Sequence, residues 1–286
     1  MTNFNFYVKI SAMVYNTKKH SKNNPLYETF ADDPFYLFLR KETYLLDVPH
    51  YHESIELVYM IKGKARAHVG GSSYDLNEGD IFIGNSQQVH FYENFTAKKL
   101  AFCVVLSNKY THDFRQVHKN CTFPPFLGDK EKNAKIYTLL QQWFDFEEKT
   151  FLTDCAFANL LLDSLIKLYG FADPTAFNTI NAAAIQLINY VTEHYAEPLS
   201  LEQVAKHFGY SKEYFSKFFK QAVGVNFLSF LNTTRTQMAM ELVNNPNVKL
   251  SAQEICTACG FNNTTSLYRH LKKAKAAKDG SNESLS

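Results

Sequence analysis

The chain has 286 residues, 45% of them hydrophobic, with 25 Phe and 17 Tyr, which is material for two separately cored domains. No run reaches the roughly 18 consecutive apolar residues of a membrane span, and Met1 to Ile10 lacks the basic-then-apolar order of a secretory leader. No membrane partner is expected, and the cytoplasm is the expected compartment. The net charge of +2 is too small to announce a nucleic-acid partner by itself, but beyond Asp173 eleven basic residues face eight acidic ones, and much of that excess falls in two short stretches. Five scattered cysteines fit reduced thiols better than a disulfide framework.

Up to about Leu106 the chain reads as strands. Leu57 to Ile61 is a continuous apolar run, Lys64 to Val69 alternates, and Asp80 to Gly84 and Leu100 to Val105 are further strands. Turn residues at Gly63, Gly70, Gly71 and Gly79 separate them, so an antiparallel barrel or sandwich is predicted. From about Asp129 the period becomes helical. Ile136, Leu139, Leu140 and Trp143 share one face, and Phe157, Leu160, Leu161, Leu165 and Leu168 crowd one side of a second helix. Such a stripe packs on the barrel or pairs two chains, and the pattern alone does not choose. Phe171 to Asn178, containing Pro174, reads as a linker.

The third zone is helical and repeats itself. Leu199 to Tyr210 parallels Leu250 to Phe261: each copy opens on a capping box, Ser200 with Gln203 and Ser251 with Glu254, and closes on Gly209 or Gly260 followed by an aromatic residue. Short helix, glycine turn and second helix make a helix-turn-helix, whose second helix fits the major groove of double-stranded DNA. Lys212, Glu213, Ser216, Lys217 and Lys220 would face out of the first such helix, and Thr264, Thr265, Tyr268, Arg269 and Lys272 out of the second, with Arg269 the best candidate for bidentate reading of a guanine. Between the units, Asn226 to Asn244 reads as one long spacer helix with Phe227, Leu231, Met238 and Leu242 at helical spacing. It would hold the two recognition helices for successive major grooves, about 34 Å apart. Cys256 and Cys259 lie on a predicted helix in this zone and read as core packing rather than metal or redox chemistry.

Ala205, Gly209 to Ser211, Tyr214, Phe215, Phe218 to Lys220, Gly224, Phe227, Arg235, Ala239, Leu242, Ile255, Gly260, Phe261 and Arg269 together resemble the DNA-binding module of the AraC/XylS family of transcription regulators, over about Ile180 to Lys273. The resemblance implies site-specific binding of double-stranded DNA and usually activation of nearby operons, with RNA polymerase as a partner and a homodimer as the working form. One stretch departs from the pattern. The Gly and Pro that usually follow the second recognition helix are replaced by Ala276 and Asp279, which puts the closing helix in question and predicts a looser second unit.

His50, His52, Glu56 and His90 form the other constellation. In an extended strand the even spacings put the first three on one face, and three imidazoles with one carboxylate suit a divalent first-row metal. The spacing from about Val48 to Asn94 resembles the two motifs of the cupin superfamily, with Asn85 and Gln87 standing where a Pro and a Gly are usual. Regulators of this design sense a small molecule, often a sugar, in the barrel. Three readings stay open. The histidines line an organic effector pocket, with Glu56, Tyr51, Tyr59, Phe82 or Tyr92 near the ligand; or they bind a metal; or they are buried hydrogen-bonded remnants of the fold. The alternative function is a metal-dependent cupin enzyme or metal sensor fused to the DNA-binding module, although no catalytic acid, base or nucleophile stands out, so the chain reads as a non-enzyme.

The expected fold class is α+β in two domains: an N-terminal cupin-like antiparallel β-barrel with helices and a C-terminal all-α double helix-turn-helix domain. The expected divisions are 1–120 for the effector-binding barrel, 121–172 for a helical dimerisation segment, 173–180 for the linker, 181–278 for the DNA-binding domain and 279–286 for a disordered tail.

Overall fold

The computed structural model describes residues 37–96, 99–119, 121–172, 178–244 and 248–282. The first 36 residues of the expected barrel and the last four of the expected tail lie outside them. Among the described residues the N-terminal half has eight strands: β1 (Leu37–Glu42), β2 (Ile55–Lys62), β3 (Ala65–Val69), β4 (Ser72–Leu76), β5 (Ile81–Gly84), β6 (His90–Asn94), β7 (Leu100–Leu106) and β8 (Phe126–Leu127). They pair antiparallel in two sheets, ordered β1-β7-β2-β5-β8 and β4-β3-β6. The last strand falls in the segment expected to be purely helical and extends the larger sheet beside β5.

The two-residue period of a strand decides what each sheet face covers. On β2 and β7, Val58, Met60, Ala101, Cys103 and Val105 point into an inner core shared with Ala65, Ala67, Val69, Leu76 and Tyr92 of the smaller sheet. Their neighbours Ile55, Leu57, Tyr59, Phe102, Val104 and Leu106 point the other way, into an outer core. Both faces of β2 are buried, and this is why its sequence runs apolar without alternating. Among the described residues the sheets therefore stack over the inner core as a flattened cupin-like barrel, and an isolated bridge pairs His50 with His90 of β6.

The outer core is roofed by α2 (Lys130–Asp145) and α3 (Phe151–Tyr169), after a short α1 (His112–Val117). Asp129 caps α2, and Thr150 with Thr153 closes a capping box on α3. Ile136, Leu140, Trp143, Leu161 and Leu165 pack on the sheet. Leu160, grouped by its spacing with the packing stripe, instead lies 53% exposed, as Leu152 does at 76%.

The C-terminal domain comprises α4 (Asn178–His194), α5 (Leu201–His207), α6 (Lys212–Val223), α7 (Phe227–Asn244), α8 (Ala252–Ala258) and α9 (Thr264–Asn282). Helix begins at Asn178, inside the expected linker, whose first five residues lie outside the described ones. Both predicted capping boxes form, and Gly209 and Gly260 turn the chain at φ values of 75° and 71°. The spacer helix α7 joins two cores: Phe227, Phe230 and Leu231 belong to the first unit, and Met238, Ala239 and Leu242 to the second. Cys256 and Cys259 are buried there, with Cys259 pushed up to about 11 by burial, so these thiols are packing groups. Among the described residues no separate closing helix follows the second recognition helix. Instead α9 runs unbroken through Asn282, so the tail expected from Asp279 is helical for its first four residues. Ala274, Ala276 and Ala277 propagate a helix already begun.

The two turn glycines differ in surroundings. A Cβ on Gly209 meets nothing within 4 Å, while one on Gly260 would lie 2.8 Å from the carbonyl oxygens of Tyr195 and Ala196. Urea unfolding is expected to show Gly209→Ala costing about 1 kcal/mol from positive φ alone, and Gly260→Ala roughly 3 kcal/mol or more from strain and clash together. Equal losses would mean the second turn is not pressed on α4.

Candidate metal centre and nucleic-acid interface

His50, His52, Glu56 and His90 are all buried, and their ligating atoms lie within 4.8 Å of one another. The convergence is not that of one extended strand. The chain bends at Glu53 and Ser54, between His52 and the start of β2, while His50 pairs with His90 through two backbone hydrogen bonds of 3.0 and 2.9 Å. Each ring is oriented in the same way. Nδ1 of His50 meets the Val48 carbonyl at 2.8 Å, that of His52 the Ser54 carbonyl at 3.1 Å, and that of His90 the Gln88 carbonyl at 2.7 Å. A carbonyl oxygen only accepts, so each Nδ1 carries the proton and each Nε2 presents a lone pair.

Those lone pairs surround a carboxylate. Glu56 Oε2 lies 3.3 Å from His52 Nε2 and 3.6 Å from His90 Nε2, and Oε1 accepts a 2.6 Å hydrogen bond from Tyr92 Oη. His90 Nε2 is buried without a hydrogen-bond partner. Burial and the neighbouring His90 push His50 down to about 3, so it is neutral near pH 7. Burial raises Glu56, but its contacts with His52 and His90 outweigh burial and hold the carboxyl well below its usual range, as a proton or cation between these groups would. Electron-rich atoms facing inward from four sides require a cation or a proton between them. The backbone bonds at Nδ1 are the outer-shell support that metal-binding imidazoles ordinarily have. The donor set therefore fits a divalent first-row metal.

Several neighbours absent from the motif reading hold this arrangement. Gly84 leaves room for the His90 ring, since a Cβ there would stand 3.1 Å from its Cε1 and Nε2. Asn85 bonds both ways with the Phe123 backbone, at 2.9 and 2.8 Å, and with Gln88, fixing the loop that presents His90. Tyr92 is at the site, as expected. Tyr59 is not: three residues from Glu56, it takes the opposite face of β2 and packs beside Tyr137. Tyr51, between two inward histidines, points outward and donates to Asn189 Oδ1 at 2.7 Å. Two clefts, of about 610 and 380 Å³, open on the described surface, and neither is lined by any of the four residues.

Gln87 occupies the position where the resembled motif has glycine and takes φ 57°, the backbone conformation glycine favours. Its side chain is exposed, so no packing opposes a change. Gln87→Gly is expected to raise the unfolding free energy by about 0.5–1 kcal/mol, measured by urea denaturation; a loss of stability would show the side chain contributing more than the strain costs.

The C-terminal units present the faces that their patterning predicts. On α6, Lys212, Glu213, Ser216, Lys217 and Lys220 are exposed while Phe215 and Phe219 are buried. On α9, Thr265, Tyr268, Arg269 and Lys272 are exposed along one face, Thr264 is half-buried, and Leu267 packs inward. Tyr214, counted in the sequence only as part of a motif, stands 53% exposed beside the first recognition face and stacks on Phe218. Lys217 and Lys220 also line the smaller cleft, against the β3–β4 turn. No helix among the described residues is long and apolar enough to cross a membrane.

Comparison with known proteins agrees with both halves. Residues 204–277 match the helix-turn-helix domain family of the AraC type, and residues 46–106 match the cupin domain family. The chain is 24% identical over 249 residues to the uncharacterized HTH-type transcriptional regulator YfiF of Bacillus subtilis, covering 82% of this chain and 77% of that one. It is also 24% identical over 244 residues to YdeC of the same organism, described in the same terms, covering 79% and 82%. Among solved structures, apo ToxT from Vibrio cholerae superposes with a TM-score of 0.44 at 11% identity, covering 85% of this chain and 97% of that one.

Proposed function

We propose, for a chain that belongs to the AraC-type helix-turn-helix transcription regulators and carries a cupin domain ahead of its DNA-binding module, that the regulating ligand is a divalent first-row metal held by His50, His52, Glu56 and His90. The observation that carries this reading is the set of three Nδ1–carbonyl bonds that leave three Nε2 atoms and a carboxylate oxygen facing one another. The ion would neutralise that group, and Tyr92 would hold the second oxygen of Glu56 away from it. A sugar is the effector class the family resemblance suggests; the two clefts described above are lined by other residues. DNA would be read by Arg269, Thr264, Thr265 and Tyr268 on α9 and by Lys212, Glu213 and Ser216 on α6, with Lys217, Lys220 and Lys272 on phosphates. Pairing of two chains along exposed Leu152 and Leu160, and activation through RNA polymerase, complete the proposal.

Titration of chelator-treated protein with Co²⁺, followed by its visible absorption, is expected to give one ion per chain. His52→Ala and Glu56→Gln should each weaken it more than about tenfold. A spectrum that stays silent would overturn the metal reading; thermal stabilisation by sugars instead would restore the organic effector, and turnover by the loaded protein would favour the enzyme. For the DNA face, selection from random duplexes at a stated salt concentration should enrich motifs about one helical turn apart. Arg269→Ala should cost about 1–3 kcal/mol and relax one base position; uniform weakening across all sequences would remove Arg269 from base reading.

A further inference from the structure

The segments that carry the histidines have a second side. Along 50–52 and 89–91, alternate residues turn inward to the four-residue centre and outward to the C-terminal domain. Val48, Tyr51 and Val89 belong to the same hydrophobic core as Ala184, Leu187, Ile188 and Val191 of α4 and Phe215, Phe219 and Val223 of α6. Asn189 on α4 accepts from Tyr51 Oη at 2.7 Å. Asn181, on the same helix, accepts from the Val89 backbone at 2.9 Å and donates to the Gln87 carbonyl. The fit is close: a Cβ on Gly224, after α6, would stand 2.6 Å from the Phe91 ring, and one on Gly71, in the β3–β4 turn, 2.7 Å from the Gln221 carbonyl oxygen. A single layer of backbone thus lies between the imidazoles and α4. The carbonyl of Val48 holds the His50 ring, and that of Gln88, next to Val89, holds the His90 ring.

The far end of α4 is bound to the rest of the DNA-binding module. Arg235 of α7 donates to the carbonyls of Tyr195 and Glu197, at 2.8 Å each, and the Gly260 turn of the second unit rests on the Tyr195 and Ala196 carbonyls. The helix therefore touches the histidine-bearing loops with Asn181 and Asn189 and leads to both helix-turn-helix units.

We infer that α4 reads the occupancy of the centre: a bound ion fixes the 48–52 and 87–91 backbone, and that backbone docks α4 and the first helix-turn-helix unit on the barrel. The inference rests on the metal reading above. Because docked helices hold the loops from which the ligand rings hang, the docked state binds the ion more tightly. By linkage the ion then favours docking by the same factor.

Hydrogen exchange of the full chain, with and without saturating Co²⁺, tests this. In the parent protein Co²⁺ should slow exchange in α4 and α6 at least about fivefold, with α3, on the far side of the larger sheet, unaffected. Two α4 variants, Asn189→Ala and the conservative Asn181→Asp, should lose most of that protection. They should bind Co²⁺ about fivefold more weakly with an unchanged visible spectrum, because the ligands themselves are intact. Gly71→Ala, which wedges the interface from the barrel side without touching α4, should act alike. Co²⁺ binding that leaves α4 exchange unchanged, or variants that keep the full response, would overturn the coupling while the metal centre stands. Failure of Co²⁺ to give its spectrum with the parent protein would remove the metal reading and this inference together.

Discussion

A buried carboxylate among three imidazoles is the constraint on which the N-terminal half is organised. Each group on its own would be costly to enclose. Their geometry is held by partners outside the cluster: three backbone carbonyls fix the rings, Tyr92 fixes Glu56, and Asn85 with Gln88 fixes the loop from which His90 projects. The bridge from His50 to His90 ties the two segments together, and the flanking Leu45 and Tyr92 anchor them in the inner core. Little of this arrangement stabilises the fold directly; it holds charge-bearing atoms where they would otherwise not stay.

The C-terminal half obeys a simpler logic. Each unit has a capped short helix, a glycine turn and an amphipathic second helix, and the long helix α7 contributes apolar residues to both cores. That helix fixes the distance between the two recognition faces, and Arg235 fastens it to the end of α4. The second unit ends differently from the resembled pattern: α9 continues through Asn282, because its alanines favour helix.

Local chemistry was legible in the sequence, and long-range placement was not. Capping residues and turn glycines act on their immediate neighbours, so both helix-turn-helix units could be read directly; the four inward residues were legible as a motif, but a bend at Glu53 and Ser54, not one extended strand, brings them together. Tyr59 was misplaced because its chemistry was weighed before its parity with Glu56. The fate of Leu160 stayed open, because an apolar spacing does not state which neighbour covers it; it stands exposed. Asn181 and Asn189 carried no signal at all, since their importance comes from partners about a hundred residues away, and Gly84 matters only through the room it leaves the His90 ring. Gln87 is intermediate: a departure from a motif in the sequence, and in the structure a non-glycine residue holding a glycine's backbone angle.

The alternation along 50–52 and 89–91 has an evolutionary consequence. There, residues that face the centre alternate with residues that face the C-terminal domain, so inserting or deleting a single residue within either stretch would turn a histidine from the centre to the docking side. Sensing and domain docking would then fail in the same event. Relatives of this chain are free to change either property by substitution, but length in these two segments should be far less variable than in the hairpin turns around them.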